Sequence, residues 1–363
     1  MKPQTQPLAI SWSDSARHAS FLPWLEPLVI QHHLNLQSLA LASADASFRR
    51  YFRIAGEPGS AHPSFIIMDA PPDKENCTPF VAVTNLLHQA GLLSPRVLNW
   101  DEPHGFMLLD DLGQHTMMQT LSPTAPDLAL FTKATDALLL LQQASRPDVL
   151  PAYDEALLRR ELSLFPDWYI SQHKQITLNN IEQHTLQNAF DLIVAHNLNA
   201  PKVFVHRDFM PRNLMIAHDS SEPRLGVLDF QDAVYGPITY DIASLMRDAF
   251  ISWNEEIVLD VTIRYWERAK KMGLMDFEDW HQDFGAFYRS VEWMGLQRHL
   301  KIAGIFARLT LRDHKPVYLQ DTPRFIAYIR HTCSRYRELK PLLRLIDCIE
   351  GTTPEKSFAI GRV

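Results

Sequence analysis

Cysteine is scarce and unpaired in this 363-residue chain: Cys77, Cys333 and Cys348 stand far apart, with no C-x-x-C among them. That spacing offers neither a disulfide framework nor a zinc-ligand set, and it fits a reducing compartment. Long apolar runs are missing too. Nothing approaches the roughly 18 to 20 residues that a membrane span requires, and Leu138 to Leu141 is only a short helical patch. Met1 to Ile10 holds one Lys, two Pro and no continuous apolar core, so no signal peptide is expected there. Concentrated Lys/Arg runs are absent and the formal net charge is -7, which argues against nucleic acid as the main ligand, because backbone phosphates demand a basic footprint. A small anionic ligand needs only a local one. No internal repeat or low-complexity tract appears. The expectation is a cytoplasmic globular chain with no membrane contact and no obligate protein partner. Its length allows two domains, and 46 % hydrophobic residues can supply their cores.

What is present changes character near residue 110. Residues 12 to 34 read as helical, and Leu36 to Ala42, Phe48 to Ile54 and Phe65 to Asp69 read as short strands. Thr78-Pro79 opens a helix that runs from Phe80 to Ala90 and stops at Gly91. Val97 to Trp100 and Phe106 to Leu109 then form two strands around the turn at 101–105, and 110–113 breaks the pattern. Beyond it, Asp127 to Ala144 and Tyr153 to His196 are mainly helical in pattern. Lys202 to Val205, Leu214 to Ala217 and Leu225 to Phe230 are short apolar strands, and helices return after Pro237. The predicted class is α+β with two lobes, a small antiparallel-sheet N-lobe of residues 1–110 and a large, mainly helical C-lobe of residues 111–363.

Polar residues interrupt the apolar runs at one place in a defined order. His206-Arg207-Asp208 follows the strand at 202–205, Asn213 comes five residues after the Asp, and Leu228-Asp229-Phe230 comes sixteen after the Asn. This is the order of a kinase catalytic loop, and it points to ATP. Phosphoryl transfer asks a protein mainly for positioning and charge neutralisation. Asp208 is the candidate base or orienting group for an acceptor hydroxyl. Asn213 and Asp229 offer hard oxygen donors suited to Mg²⁺. An isolated Asp or Asn more often caps a turn, but the set places polar groups between runs that would otherwise be buried, where unpartnered charge is costly. His206 is read as a packing and hydrogen-bonding support of the loop. Arg207 and Arg212 either neutralise phosphate or pair with carboxylates. Asp241, at the start of a helix, can cap free N–H groups and brace the loop from behind.

These residues resemble the aminoglycoside phosphotransferase family, a branch of the protein-kinase-like fold that phosphorylates small molecules. The likeness covers most of the chain. It is narrowed by Asp45 to Arg53, Met68-Asp69-Ala70-Pro71-Pro72, Val205 to Met215, Val227 to Pro237 and Trp293 to Leu300. Those strings look closest to the branch that phosphorylates the C1 hydroxyl of N-acetylmuramate and N-acetylglucosamine in cell-wall recycling. The resemblance implies ATP and Mg²⁺ as cofactors, an amino sugar as the partner, and Asp208 facing the sugar hydroxyl. It makes Leu108 to Leu112 the hinge that meets adenine, with Leu109 and Asp111 as its site residues. It puts Ser43 to Ser47 in the place of the phosphate-covering loop.

Two departures stand out. The segment 43–47 lacks glycine altogether, and the strand that would end in a phosphate-binding Lys ends instead at Met68. One of Arg49, Arg50 or Arg53 is therefore expected to contact the ATP phosphates, with strand alternation setting Arg49 and Arg53 on one face and Arg50 on the other. For the sugar, Trp293, Gln297 and Arg298 are the candidate contacts, with Trp253, Trp266, Tyr288, Glu292 and His299 near them in type or sequence. Arg298 either meets a lactyl carboxylate or bridges within the protein. Asp248, Glu255 and Glu256 keep a cationic alcohol open as acceptor. The missing Lys and glycines keep open a nucleotide-binding protein without turnover.

Overall fold

The computed structural model describes residues 10, 12, 15–44, 48–217, 222 and 224–352. The phosphate-covering turn expected at 43–47 therefore lies largely outside the described residues. The chain opens with helix α1 (Ser15–His32) and continues through strands β1 (Leu34–Ala44), β2 (Arg50–Gly56) and β3 (Ser64–Asp69), helix α2 (Thr78–Gln89), and strands β4 (Val97–Asp101) and β5 (Phe106–Asp110). The five strands make one antiparallel sheet in the order β1-β2-β3-β5-β4. Alternation decides its faces. Phe52, Ile54, Phe65, Ile67, Phe106 and Leu108 share one side and form a core with Phe21, Leu25 and Leu28 of α1. Helix α2 begins with Pro79 in its first turn, where the missing N–H is not needed. The chain reverses at Gly91, whose φ of 82° is adopted by glycine at no steric cost.

Next come strand β6 (His115–Thr116), helices α3 (Met117–Thr120), α4 (Leu128–Gln143) and α5 (Glu155–Leu164), a π-helical stretch Phe165–His173, and helix α6 (Asn180–Asn199). The caps are local and legible: Asp127 accepts from Ala129 N–H, Asp154 accepts from Leu157 N–H, and Asn179 with Glu182 forms a capping box. Strand β7 (Lys202–Val205) leads through a 3₁₀ turn, Pro211–Asn213, into strands β8 (Leu214–Ile216), β9 (Leu225–Val227) and β10 (Val234–Pro237). Helices α7 (Thr239–Met246), α8 (Glu255–Lys271), α9 (Phe284–Leu311), α10 (Thr322–Arg335) and α11 (Lys340–Glu350) complete the chain.

Contacts sort these elements into two compact units. The first holds the described residues up to Thr120 together with 212–232, and the second holds 121–211 and the described residues from 233 onward. The α+β, two-lobed class is the one expected, but the division differs from a single break at residue 110. The reason is pairing. Strands β6, β8 and β9 form a three-stranded sheet, and Val227 N–H donates to Leu93 O at 2.7 Å, so the β8–β9 hairpin belongs with the first unit. In the second unit α9 is the central helix. A Cβ at Gly304 would sit 2.3 Å from the carbonyl carbon and oxygen of Leu164, so glycine there is what lets α9 press against the end of α5. Among the described residues, no helix is long and apolar enough to cross a membrane.

Candidate active site

Strand β7 delivers His206, Arg207 and Asp208 in the second unit, held in register by pairing with β10. Arg207 adopts a φ of 76°, a left-handed conformation that is uncommon for an arginine and costs on the order of 1 kcal/mol or more. Two backbone bonds stabilise it. The carboxylate of Asp241, on the first turn of α7, accepts from His206 N–H at 2.7 Å and from Arg207 N–H at 3.0 Å. Asp208 N–H donates to His206 Nδ1 at 3.3 Å. His206 and Phe209 are buried and touch edge to face, anchoring the loop on both sides of a half-buried Asp208. Burial pushes the Asp241 carboxyl up to about 6, against the opposing pull of His206, the two loop N–H groups and Arg298. His206 and Asp241 both accept hydrogen bonds from the loop's backbone N–H groups.

The first unit carries the other half of the signature. Asn213 closes the 3₁₀ turn and Asp229 follows β9, and their side chains meet: Asn213 Nδ2 donates to Asp229 Oδ2 at 3.2 Å. Leu228 N–H donates to Asn213 O at 2.9 Å and Gln231 Nε2 donates to Asp229 Oδ1 at 2.9 Å, so both residues are pinned. Asp229 is also left-handed, with φ of 65°. Phe230 packs on Phe80 with ring centroids 4.8 Å apart, fixing the strand end. An amide and a carboxylate held side by side form a hard-oxygen donor set of the kind Mg²⁺ prefers.

The three arginines near β2 separate by face. Arg50 lies on the α1 side of the sheet, pairs with Asp69 through its Nε at 3.0 Å, and stacks 4.5 Å from the Trp12 ring. Met68 and Arg53 point to the other side by alternation. The expectation for Arg50 is thereby corrected: Asp69, which also pairs with Arg17 of α1, holds it on the face opposite Met68. Arg49 pairs with Glu75 at 3.1 Å and Arg53 with Asp111 at 2.6 Å. Asp111 also accepts from Ser64 Oγ at 2.7 Å and Gly113 N–H at 3.1 Å. Burial opposes its charge, but these bonds hold its carboxyl below the usual range. Its carboxylate is a clamp on the segment after β5, tied to Arg53, Ser64 and Gly113. Leu109 is buried inside the sheet, paired with Ile66 and Val97.

The sugar contacts expected on α9 are interior. Trp293 is 2 % exposed and packs between His196 and Tyr336, and Gln297 is fully buried, donating to Leu158 O at 3.0 Å. Both read as core, because a buried ring has no open face for a pyranose. Arg298 is also buried, with its guanidinium 5.3 Å from the Tyr240 ring centroid and its charge acting on Asp241 and Asp248. Its Nε and Nη1 are buried without a hydrogen-bond partner, so the ion pair expected within the protein is not formed among the described residues. Asp248, the carboxylate that kept a cationic acceptor open, caps Phe250 and Ile251 N–H groups instead. Glu255, Glu292 and His331 cluster closely, but Arg247 reaches Glu255 at 2.7 Å and Arg335 reaches Glu292 at 3.2 Å, so cations already fill that cluster.

Sequence reading missed two residues beside the loop. Glu161, on α5 and almost fully buried, accepts from Arg207 Nη2 at 2.6 Å and from Lys301 Nζ, on α9, at 2.9 Å. The only signal was a charged residue on a helix face otherwise given to the core.

The profile of the phosphotransferase enzyme family matches residues 38–282. The chain is 46 % identical to the N-acetylmuramate/N-acetylglucosamine kinase of Pseudomonas aeruginosa, across 92 % of this chain and 97 % of that one. It is 48 % identical to the protein of that name from Pseudomonas putida, across 85 % and 87 %. Among solved structures it is similar to ADP-bound aminoglycoside phosphotransferase APH(2'')-Ib, with a TM-score of 0.54 at 14 % identity across 87 % and 97 % of the two chains. It is also similar to an ethanolamine kinase of Plasmodium vivax, with a TM-score of 0.58 at 9 % identity across 90 % and 97 %.

Proposed function

The chain belongs to the phosphotransferase enzyme family, and from that premise we propose that it transfers the γ-phosphoryl group of ATP to the C1 hydroxyl of N-acetylmuramate and N-acetylglucosamine. The observation that carries the reading is the braced loop. Asp241 and His206 fix the backbone on both sides of Asp208, while Asn213 and Asp229 are held against each other. Few structural purposes require all of these at once. The choice of sugar follows the names of relatives that share nearly half of the residues across most of the chain.

Asp208 accepts the hydroxyl proton as the sugar oxygen attacks the γ-phosphorus. A P–O bond forms to C1–O, the bond to the ADP oxygen breaks, and ADP carries away that electron pair. Asn213 and Asp229 would hold Mg²⁺, which when bound neutralises phosphate charge. Arg49 and Arg53, on Met68's side of the sheet, are the proposed phosphate contacts in place of the absent Lys. The segment from Leu108 to Leu112 is the proposed adenine hinge, acting through its backbone. A protein that consumes ATP and feeds sugar 1-phosphates to nucleotide-sugar synthesis belongs in the cytoplasm.

The test is to incubate the protein with Mg-ATP and each amino sugar and to locate the new phosphate by ³¹P–¹H coupling. Phosphate at C1 supports the reading. Phosphate at C6 moves the function to another sugar kinase, and no transfer to either sugar overturns it.

A further inference from the structure

Arg207 is held at both ends. Its backbone N–H donates to Asp241 of α7 at 3.0 Å, and its guanidinium Nη2 donates to Glu161 Oε1 of α5 at 2.6 Å. The two bonds meet at a residue whose φ of 76° is left-handed, a conformation that a residue with a Cβ keeps only where its surroundings over-determine it. Glu161 is itself fixed. Its side chain is 5 % exposed, and the oxygen that receives Arg207 also receives Lys301 Nζ of α9 at 2.9 Å. The second oxygen accepts from the Tyr153 hydroxyl. Lys301 donates onward to the Tyr240 hydroxyl at 3.2 Å, and the Tyr153 and Tyr240 rings meet edge to face with centroids 5.4 Å apart. Glu161, Lys301, Tyr240 and Tyr153 thus close a ring of contacts, and Arg207 joins that ring to the loop. Stability is a weak reason to keep such a cluster, since desolvation offsets most of the attraction between buried charges.

We infer that Glu161 is a positioning residue for phosphoryl transfer, holding through Arg207 the left-handed turn that aims the Asp208 carboxylate at the acceptor hydroxyl; this rests on the phosphotransferase reading above. The lever is the backbone. Asp208 follows Arg207 directly, so a change of φ or ψ at 207 swings its side chain, and a misplacement of about 1 Å at a reacting group can cost about 100-fold in rate. Asp241 fixes a different part of the turn. Its bonds to the His206 and Arg207 N–H groups hold the peptide planes ahead of the Arg207 Cα, whereas φ is the rotation that comes after them. Anchoring the guanidinium fixes the direction of the Cα–Cβ bond, and with it φ. The peptide beyond Arg207 is held by Asp208 N–H on His206 Nδ1, a longer bond of 3.3 Å. Glycine would take this turn unaided. Arginine takes it because its far end is tied to α5.

The experiment measures kcat and the KM values for ATP and N-acetylglucosamine in the full-length protein and in Glu161→Gln, Arg207→Ala, Arg207→Gly and the double variant Glu161→Gln/Arg207→Gly, with a melting curve for each. Glu161→Gln should lower kcat by about tenfold or more while both KM values stay within about twofold of wild type, the pattern of a lost transition-state interaction. Arg207→Ala should lose as much, because alanine has neither the anchor nor ease in the left-handed region, and Arg207→Gly should keep at least about fivefold more kcat than Arg207→Ala. In the glycine background Glu161→Gln should change kcat by less than about twofold, since the side chain it holds is gone. A Glu161→Gln enzyme with kcat within about twofold of wild type overturns the inference, and so does a loss of the same size in the glycine background. Should Glu161→Gln not fold, equal kcat in Arg207→Ala and Arg207→Gly overturns it, and the expected advantage of glycine supports it. A wild type that phosphorylates no sugar removes the underlying reading and this inference with it; an active wild type with Glu161→Gln at full rate removes only the inference.

Discussion

Replacing Asp241 by Asn separates what the buried carboxylate does for stability from what it does for the loop. In the wild type both oxygens accept, one from His206 N–H and one from Arg207 N–H. Asn offers one oxygen and sets an NH₂ group against the second N–H, so one buried donor loses its partner at a cost of about 1 to 3 kcal/mol. Set against this is the charge. Burial raises the folded carboxyl to about 6 from 3.8, so its contribution to stability is complete below pH 4 and is lost as pH rises through 6. At pH 7 ionisation thus costs about 3 kcal/mol, and Asn removes that cost. The two terms nearly cancel. Asp241→Asn should therefore melt within a few degrees of wild type at pH 7, yet lose kcat by about 100-fold, because Arg207 and Asp208 are no longer held in the left-handed turn. Calorimetry beside a coupled ADP-release assay checks both. Full kcat in the variant, or unfolding at pH 7, would refute the reasoning.

Asp248 is the second buried carboxylate, raised to about 6 chiefly by burial. Asp248→Asn should flatten the fall in stability that the wild type shows between about pH 4 and 6, as read by urea midpoints across pH. Gly304→Ala puts a methyl group 2.3 Å from the Leu164 carbonyl and should destabilise the second unit by about 2 kcal/mol or more, visible as a lower thermal midpoint. An unchanged midpoint would show that α9 and α5 have room to part. Arg49→Ala and Arg53→Ala should raise the KM for ATP in at least one case, whereas Arg50→Ala, held by Asp69 on the other face, should leave it unchanged. Equal KM values in all three would move the phosphate contact elsewhere.

Much of the scaffold was legible because local rules and tertiary structure agree along it. Short runs at Phe48 to Ile54, Phe65 to Asp69 and Phe106 to Leu109, set off by small or turn-forming residues, marked the sheet, and Pro79 and Gly91 bounded α2. The spacing from Asp208 to Asn213 and Asp229 was legible for a chemical reason, since phosphoryl transfer fixes those residue types in that order. Other features left little local trace. Strand β10 is four residues long and includes Gly236 and Pro237, which mask a strand. The assignment of 212–232 to the first unit depends on long-range pairing with β6 and Leu93. Trp293 and Gln297 were read as sugar contacts because their types suit the task, and packing on α9 used them for the core. Arg50 was drawn to a ligand by the same reasoning, and it had a partner within the fold. Glu161 and Lys301 come from helices about 140 residues apart in sequence, so no motif could join them.

The central claim is that Asp208 serves transfer of phosphate from ATP to a sugar hydroxyl. Its most direct test is ³¹P–¹H correlation on the product of the wild type and of Asp208→Asn with Mg-ATP and N-acetylmuramate, beside a melting curve for each. A phosphate coupled to H1 in the wild type is expected, with at least about a 100-fold loss of rate in the variant at an unchanged melting temperature. Equal rates in the two proteins, or a phosphate that couples to no sugar proton, would contradict it.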